Sequence, residues 1–402
     1  MRRPFATLAL ALTATGAPLL AAPLVAQQVA EPIPRPRLRD VTDTNDAQAY
    51  FDAGVESIRS DPAYAADAFY WATRLNPGWA DPLYGRRAAV LAQKRDLLNV
   101  AMDSRRRFKP ELLGLDSLQA RAYMLDPFLY RRLDALLFLD YIAGGDRVMQ
   151  AEYAHRITVW LHDAPASFQA WYEYAQGNFE RALSEYARAI GQERETAWLH
   201  LERARILGMR KEVESAVAEF ELALAELRSR DDRKLVVFYD SKALTEFSMA
   251  TLLEGAGQLD RAREAYGRAL QEDLAYYPAH MRLGFLALTQ GDSSAAISEL
   301  AMASELAPND AFVRFMNGWV LGRTRHATEA IAEFTRATEL EPYYALPNLM
   351  LGAQYEALDN PPEAIAAYHR FLTMASARDP QRQFATDRIE DIKAYLDAPR
   401  TK

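Results

Sequence analysis

The stretch HMRLGFLALTQGDSSAAISELAMASELAP, residues 280–308, decides the fold. It holds two runs whose apolar residues recur at helical spacing, divided by Gly291-Asp292. Glycine accepts the left-handed backbone that stops one helix, and an aspartate side chain satisfies the free N–H groups that start the next. Pro308 then bars continuation, because it has no N–H and its ring clashes with the preceding turn.

Outward from this stretch the pattern recurs. Gly284, Gly318 and Gly352 keep a constant step of 34, as do Ala262, Ala296, Ala330 and Ala364, then Ala269, Ala303 and Ala337, then Pro308 and Pro342. Tyr266, Leu300, Phe334 and Tyr368 keep a large apolar residue in step. Upstream the frame returns from Ala182 to Ala216, Tyr186 to Phe220 and Ala189 to Ala223. Gly177-Asn178 marks an equivalent turn, and Gly257 with Asp260 a looser one. Small residues such as Gly284 and Ala296 let paired helices approach, while a bulky one such as Phe334 fills the gap between pairs. The step from Ala216 to Ala262 is longer, which places an insertion of about one dozen around 228–236.

This ruler resembles the tetratricopeptide repeat, whose 34-residue signature runs W-x2-L-G-x2-Y, A-x3-F, P. His280-x2-Leu283-Gly284, Ala296-x3-Leu300 and Pro308 carry it, as do Asn348-x2-Leu351-Gly352-x2-Tyr355 and Ala364-x3-Tyr368. Between them lie Gly318, Ala330-x3-Phe334 and Pro342, with Arg314 and Asn317 in place of the Trp and Leu. Further units are expected at 164–193, 195–229 and 241–276. Gly54 with Ala65-x3-Phe69, Ala72 and Pro77 reads as another, and 83–108 as a degenerate one.

The resemblance implies an all-α, right-handed α-solenoid of stacked helix–turn–helix units. A solenoid needs a terminal helix to seal its last core; Phe384, Ile389, Ile392 and Leu396 supply one. The expected organisation is a signal peptide (1–26), a Pro-rich linker (27–45), N-terminal repeats (46–110), a helical non-repeat insertion or degenerate repeats (111–163), the main array (164–376) and a capping helix with tail (377–402). Within 110–162 the apolar period persists at Leu133, Leu136, Leu137, Tyr141 and Ile142, and Gly144-Gly145 breaks it.

Arg2 and Arg3, the uncharged run from Phe5 to Leu20 and the small Ala26 compose an export signal, so the expected location is periplasmic or secreted. An uncleaved anchor is the competing reading; the run is short for a span and Pro18 and Pro23 interrupt it. The Arg2-Arg3-Pro4-Phe5 string matches a twin-arginine signal only loosely. Pro32, Pro34 and Pro36 on alternate positions favour extended backbone, either a spacer or a ligand for a proline-reading domain.

The composition excludes several classes. With no Cys there are no disulfides, zinc ribbons or thiol nucleophiles. A net charge of −8 argues against binding nucleic acid by phosphate neutralisation. The cluster Arg105-Arg106-Arg107-Phe108-Lys109 reads as a solvated helix end rather than a polyanion site. No P-loop, G-x-G-x-x-G, H-E-x-x-H or G-x-S-x-G occurs, so no cofactor or metal is expected and the chain is not read as an enzyme. His155, His162 and Asp163 are the nearest approach to a metal set, and they carry the alternative of an enzyme site within 111–163. Glu254 with Asp260, and Asp359 with Glu363, fit helix starts better than proton transfer.

In the tetratricopeptide family the first helix of each pair lines a concave groove, and the resemblance points four pairs of residues into it. They are Phe247 and Thr251, Met281 and Phe285, Phe315 and Trp319, and Leu349 and Ala353, with Arg282 beside them. Apolar side chains on a face that should be wet mark a contact site for a protein or peptide. The alternative is that the insertion, the N-terminal arm or a second copy covers them. Arg282 alone does not make the carboxylate clamp of the chaperone-binding branch. The function expected is an exported scaffold or adaptor supporting assembly in the bacterial envelope; a purely structural homo-oligomer is the remaining alternative.

Overall fold

A computed structural model describes residues 33–39, 41–102, 110–142, 164–229 and 241–397. The leader, the start of the Pro-rich linker, the 105–109 cluster, Gly144-Gly145, His155, His162, Asp163 and most of the 228–236 insertion lie outside the described residues.

Among the described residues there is no strand. The N-terminal part forms α1 (Ala47–Ser57), α2 (Pro62–Leu75), α3 (Ala80–Gln93), α4 (Arg95–Met102), α5 (Leu113–Leu125) and α6 (Asp134–Ile142). Helix hairpins follow: α7 (Ala166–Ala175) with α8 (Phe179–Ile190), α9 (Ala197–Met209) with α10 (Val213–Ser229), and α11 (Lys242–Gly255) with α12 (Leu259–Glu272). Then come α13 (Tyr277–Thr289) with α14 (Ser293–Leu306), α15 (Ala311–Arg323) with α16 (Ala327–Leu340), and α17 (Leu346–Ala357) with α18 (Pro361–Met374). The last helix, α19 (Gln381–Asp397), packs on α18. Its Ala385, Ile389 and Ile392 join a cluster with Tyr368 and Phe371, which closes the core as a cap should. Leu396 remains exposed.

The sequence period reappears as backbone geometry. Each hairpin from α7 to α18 turns through one residue of positive φ: Gly177, Lys211, Gly257, Gly291, Arg325 and Asp359. The next N–H closes a six-residue loop back onto the ending helix, as in Asp292 N–H to Ala287 O at 2.9 Å and Asn360 N–H to Tyr355 O at 2.9 Å. Asp292 then caps α14 by accepting from Ala295 N–H at 3.0 Å. Asn178 makes no such side-chain bond. At the looser turn Gln258 holds the cap position and Asp260 falls inside the first turn of α12.

Between paired helices the small-against-large rule has a steric origin. A methyl added at Gly284 would lie 2.1 Å from a Leu300 methyl; at Gly318 and Gly352 it would meet the rings of Phe334 and Tyr368 at 2.9 and 2.4 Å. The large residue therefore presses on the glycine of its own pair. Gly54 stands in the same relation to Phe69, at 2.8 Å. Where the family signature has Trp, these pairs carry a polar contact instead. His200 reaches Glu219 and His280 reaches Glu299, at 2.6 and 2.7 Å. Arg314 reaches Glu333 at 3.1 Å, Glu246 reaches Arg268 at 3.0 Å and Asn348 reaches Arg370 at 3.2 Å.

Candidate functional site

The candidate groove is the face made by the first helices α7, α9, α11, α13, α15 and α17. The N-terminal helices and the segment after α5 run back along this face and cover part of it. At the far end Trp71 of α2 packs edge-on against Tyr343, centroids 4.8 Å apart, and Arg74 pairs with Glu341 at 3.0 Å. Gly78 lies under the Phe312 ring of α15. Arg121 of α5 bonds Asp310 at 3.0 Å, and Met124 packs into the cluster of Tyr277 and Met281. Arg205 of α9 stands 4.7 Å over the Tyr123 ring.

The segment 126–133 completes the cover over α7 and α9. The Phe128 ring sits on Gly208, where an added methyl would come within 2.2 Å. Tyr130 donates to Ala175 O at 3.1 Å. Arg131 pairs with Glu202, which also accepts from Arg205 at 2.9 Å. Tyr84 donates to Asp134 at 2.7 Å. Burial and the Asp134 carboxylate both push the Tyr84 hydroxyl well up, so it stays protonated and keeps donating.

Farther along, the cover reaches only the N-terminal turns of the first helices. Their C-terminal turns carry a strip of partly exposed residues: Phe285 and Leu288 on α13, Trp319 on α15, Ala353 and Gln354 on α17. The Phe285 and Trp319 rings meet edge-on at 5.9 Å. Exposed Arg323 stands 5.7 Å over the Trp319 face, and Gln354 lies across Gly322.

The expected groove residues therefore divide. Phe247 is buried against the Tyr266 and Tyr276 rings, and Phe315 against Phe334 and Tyr344. Leu349 is buried in the cluster of Tyr368 and Phe371, and Met281 in that of Tyr277. These four serve the packing of helices. Phe285, Trp319, Thr251 and Ala353 stay partly exposed. Arg282 faces Glu254 at 3.8 Å; Glu254 accepts from Tyr266 at 2.5 Å, so this carboxylate holds a structural position. Leu288 and Arg323 lie one turn beyond the positions that the register picks out, and Gln354 lies next to one of them, so the register alone does not reach them. Gly208 and Gly322, each one helical turn past the small residue of its repeat, are the signal that could have found the close approaches. Among the described residues no group of three or more His, Asp or Glu is placed to hold a metal, and no helix is long and apolar enough to cross a membrane.

Residues 253–314 match the tetratricopeptide repeat family model. No curated protein sequence matches the chain. Solved structures with similarity include YrrB, described as a TPR protein with an unusual peptide-binding site, 21% identical over 51% of this chain and 97% of that one, TM-score 0.40. The C-terminal part of a TPR repeat-containing protein from Cytophaga hutchinsonii is 15% identical over 57% and 85%, TM-score 0.45. A MamA structure is 16% identical over 52% and 99%, TM-score 0.37. Residues 253–314 are thus a stretch of tetratricopeptide repeat, and the helix pairs on either side of it continue the 34-residue step, lengthened once between Ala216 and Ala262.

Proposed function

We propose that this chain is a non-enzymatic scaffold, exported to the bacterial envelope, that binds an apolar segment of another protein along the strip of α13, α15 and α17. One observation carries the reading: Phe285 and Trp319 form an aromatic pair on the first-helix face that the chain's own N-terminal helices leave partly exposed. Aromatic side chains with a neighbouring Arg are the residues that most often anchor interfaces. Arg323 beside Trp319 favours a partner whose apolar anchor is flanked by a carboxylate. Export rests on the composition of residues 1–26.

The test is capture from an envelope fraction with the intact chain beside the Phe285→Ala, Trp319→Ala variant, then peptide binding with segments of the captured protein. The double substitution should weaken binding by about 2 kcal/mol, roughly 30-fold, in a chain that remains folded by circular dichroism, although both rings also pack against the core and the melting temperature will fall. Equal affinity of both forms sinks the strip as the site. Mass spectrometry of the exported chain checks the leader, with cleavage after Ala26 expected.

A further inference from the structure

The Pro-rich arm finds its reader within the chain itself. Residues 33–39, Ile-Pro-Arg-Pro-Arg-Leu-Arg, form no helix and lie across α2. Pro34 and Pro36 lock their own φ and push Ile33 and Arg35 to extended backbone, so the carbonyls of this extended segment make no helical hydrogen bonds. Two aromatic donors on α2 take them: Trp71 Nε1–H donates to Ile33 O at 2.9 Å, and the Tyr64 hydroxyl to Arg37 O at 3.0 Å. Between these points the Arg35 guanidinium lies 4.6 Å over the Trp71 ring and 4.8 Å over that of Tyr343, donating to Thr44 O at 2.8 Å. Leu38 is buried in the adjacent cluster.

We infer that Trp71, Tyr64 and Tyr343 form a polyproline-reading site, filled here in cis, that takes a proline-flanked arginine strand from a partner protein when the arm is displaced. The chemistry is that of polyproline recognition in general. Aromatic N–H and O–H groups bond backbone carbonyls of a strand already extended, and an aromatic slot selects the cation between prolines. The occupant names its own replacement: a strand with Pro-Arg-Pro at its centre. Tyr343 lies between α16 and α17, so the site is assembled from both ends of the chain and exists only when the N-terminal helices are docked. This site is separate from the Phe285–Trp319 strip, and it stands whether or not that strip binds anything.

The experiment uses the full chain with Arg35→Ala, which weakens the arm and leaves the reader whole. The probe is a fluorescent peptide of residues 31–41, read by anisotropy. Arg35→Ala should bind it ~10-fold or more tightly than the unaltered chain, since the arm no longer competes. A control peptide with the same Arg replaced by Ala should bind ~10-fold more weakly. Adding Trp71→Phe and Tyr64→Phe, which keep an aromatic ring and remove the donors, should abolish the gain. No binding by a folded Arg35→Ala chain overturns the proposal, and so does equal binding with and without the two donors. Concentration-dependent dimerisation of the unaltered chain, lost with Arg35→Ala, overturns the partner protein in favour of arm exchange between two copies.

Discussion

His280 Nδ1 lies 2.7 Å from Glu299 Oε2, joining the two helices of one repeat by a polar contact at the position where the family signature has Trp. The same position carries His200, Glu246, Arg314 and Asn348, each reaching its own second helix. Trp fills that space by area, whereas these pairs fill it by directed bonds.

Glu246 is the strictest of them, fully buried and held by Arg228 at 2.7 Å and Arg268 at 3.0 Å. Glu246→Gln keeps the shape and withdraws the charge. It should cost ~2 kcal/mol, the ordinary worth of hydrogen bonds to a charged group. Both arginines are part-exposed and rehydrate, which holds the loss at that level. A urea titration reads it; a loss below ~0.5 kcal/mol would show that the pair is ornamental.

The hairpin turns offer a gain. Lys211, Arg325 and Asp359 hold positive φ of 63°, 65° and 52°, where Gly177, Gly257 and Gly291 stand in the sister repeats. Side chains with a Cβ are strained there, so Arg325→Gly should stabilise by ~0.5–1 kcal/mol. Gly291→Ala should destabilise by ~1 kcal/mol. Thermal melts of the two variants should move in opposite directions; the same direction for both contradicts the shared turn geometry.

Gly208→Ala adds a methyl 2.2 Å from the Phe128 ring, on the helix face that segment 126–133 covers. Alanine favours the helix by about 1 kcal/mol, yet overpacking typically costs ~1–3 kcal/mol. The expected net effect is faster amide exchange in 126–133 with α13 to α19 unchanged. Uniform protection across the chain would show that Phe128 has another place to go.

Arg74 and Glu341 come from opposite ends of the chain and bond through both carboxylate oxygens, at 3.1 and 3.0 Å. Arg74→Ala leaves the Glu341 carboxylate largely enclosed without its cation, bonded still by the Tyr343 N–H at 3.2 Å, at a cost of ~2–3 kcal/mol. Glu341→Gln on the same background should recover part of it, because the stranded charge is gone. Absence of recovery places the loss in Arg74's contacts with Trp71 and Tyr343 instead.

Acid should act through Glu219. Burial raises its pKa, but bonds from His200 and Arg203 outweigh that and hold it below its ordinary 4.5. A depressed carboxylate contributes stability that is fully present above the unfolded value and lost as pH falls through the folded one. Glu219→Gln should therefore differ most from the unaltered chain above about pH 5 and converge with it toward about pH 3. A gap that stays constant over this range contradicts the assignment.

The helix pairs, their turns and the cap were legible because each depends on contacts within one repeat or with its immediate neighbour. Gly318 against Phe334, or Gly291 before Asp292, repeats in register and needs nothing distant. Phe247, Phe315 and Leu349 read as groove residues by the same register. Their rings and side chains instead turn into helix packing, a choice made by neighbours such as Tyr276 and Tyr344 that lie outside the motif.

Which part of the first-helix face stays open was settled only in three dimensions. Phe128 on Gly208, Arg121 on Asp310 and Arg35 between Trp71 and Tyr343 are single, non-periodic fits between distant segments. Each half of such a fit, taken alone, is an ordinary amphipathic helix or a Pro-rich spacer. Local periodicity specifies what a helix buries against its own repeat; it carries no information on which far segment returns to cover the other side, because that depends on matching two irregular surfaces at once.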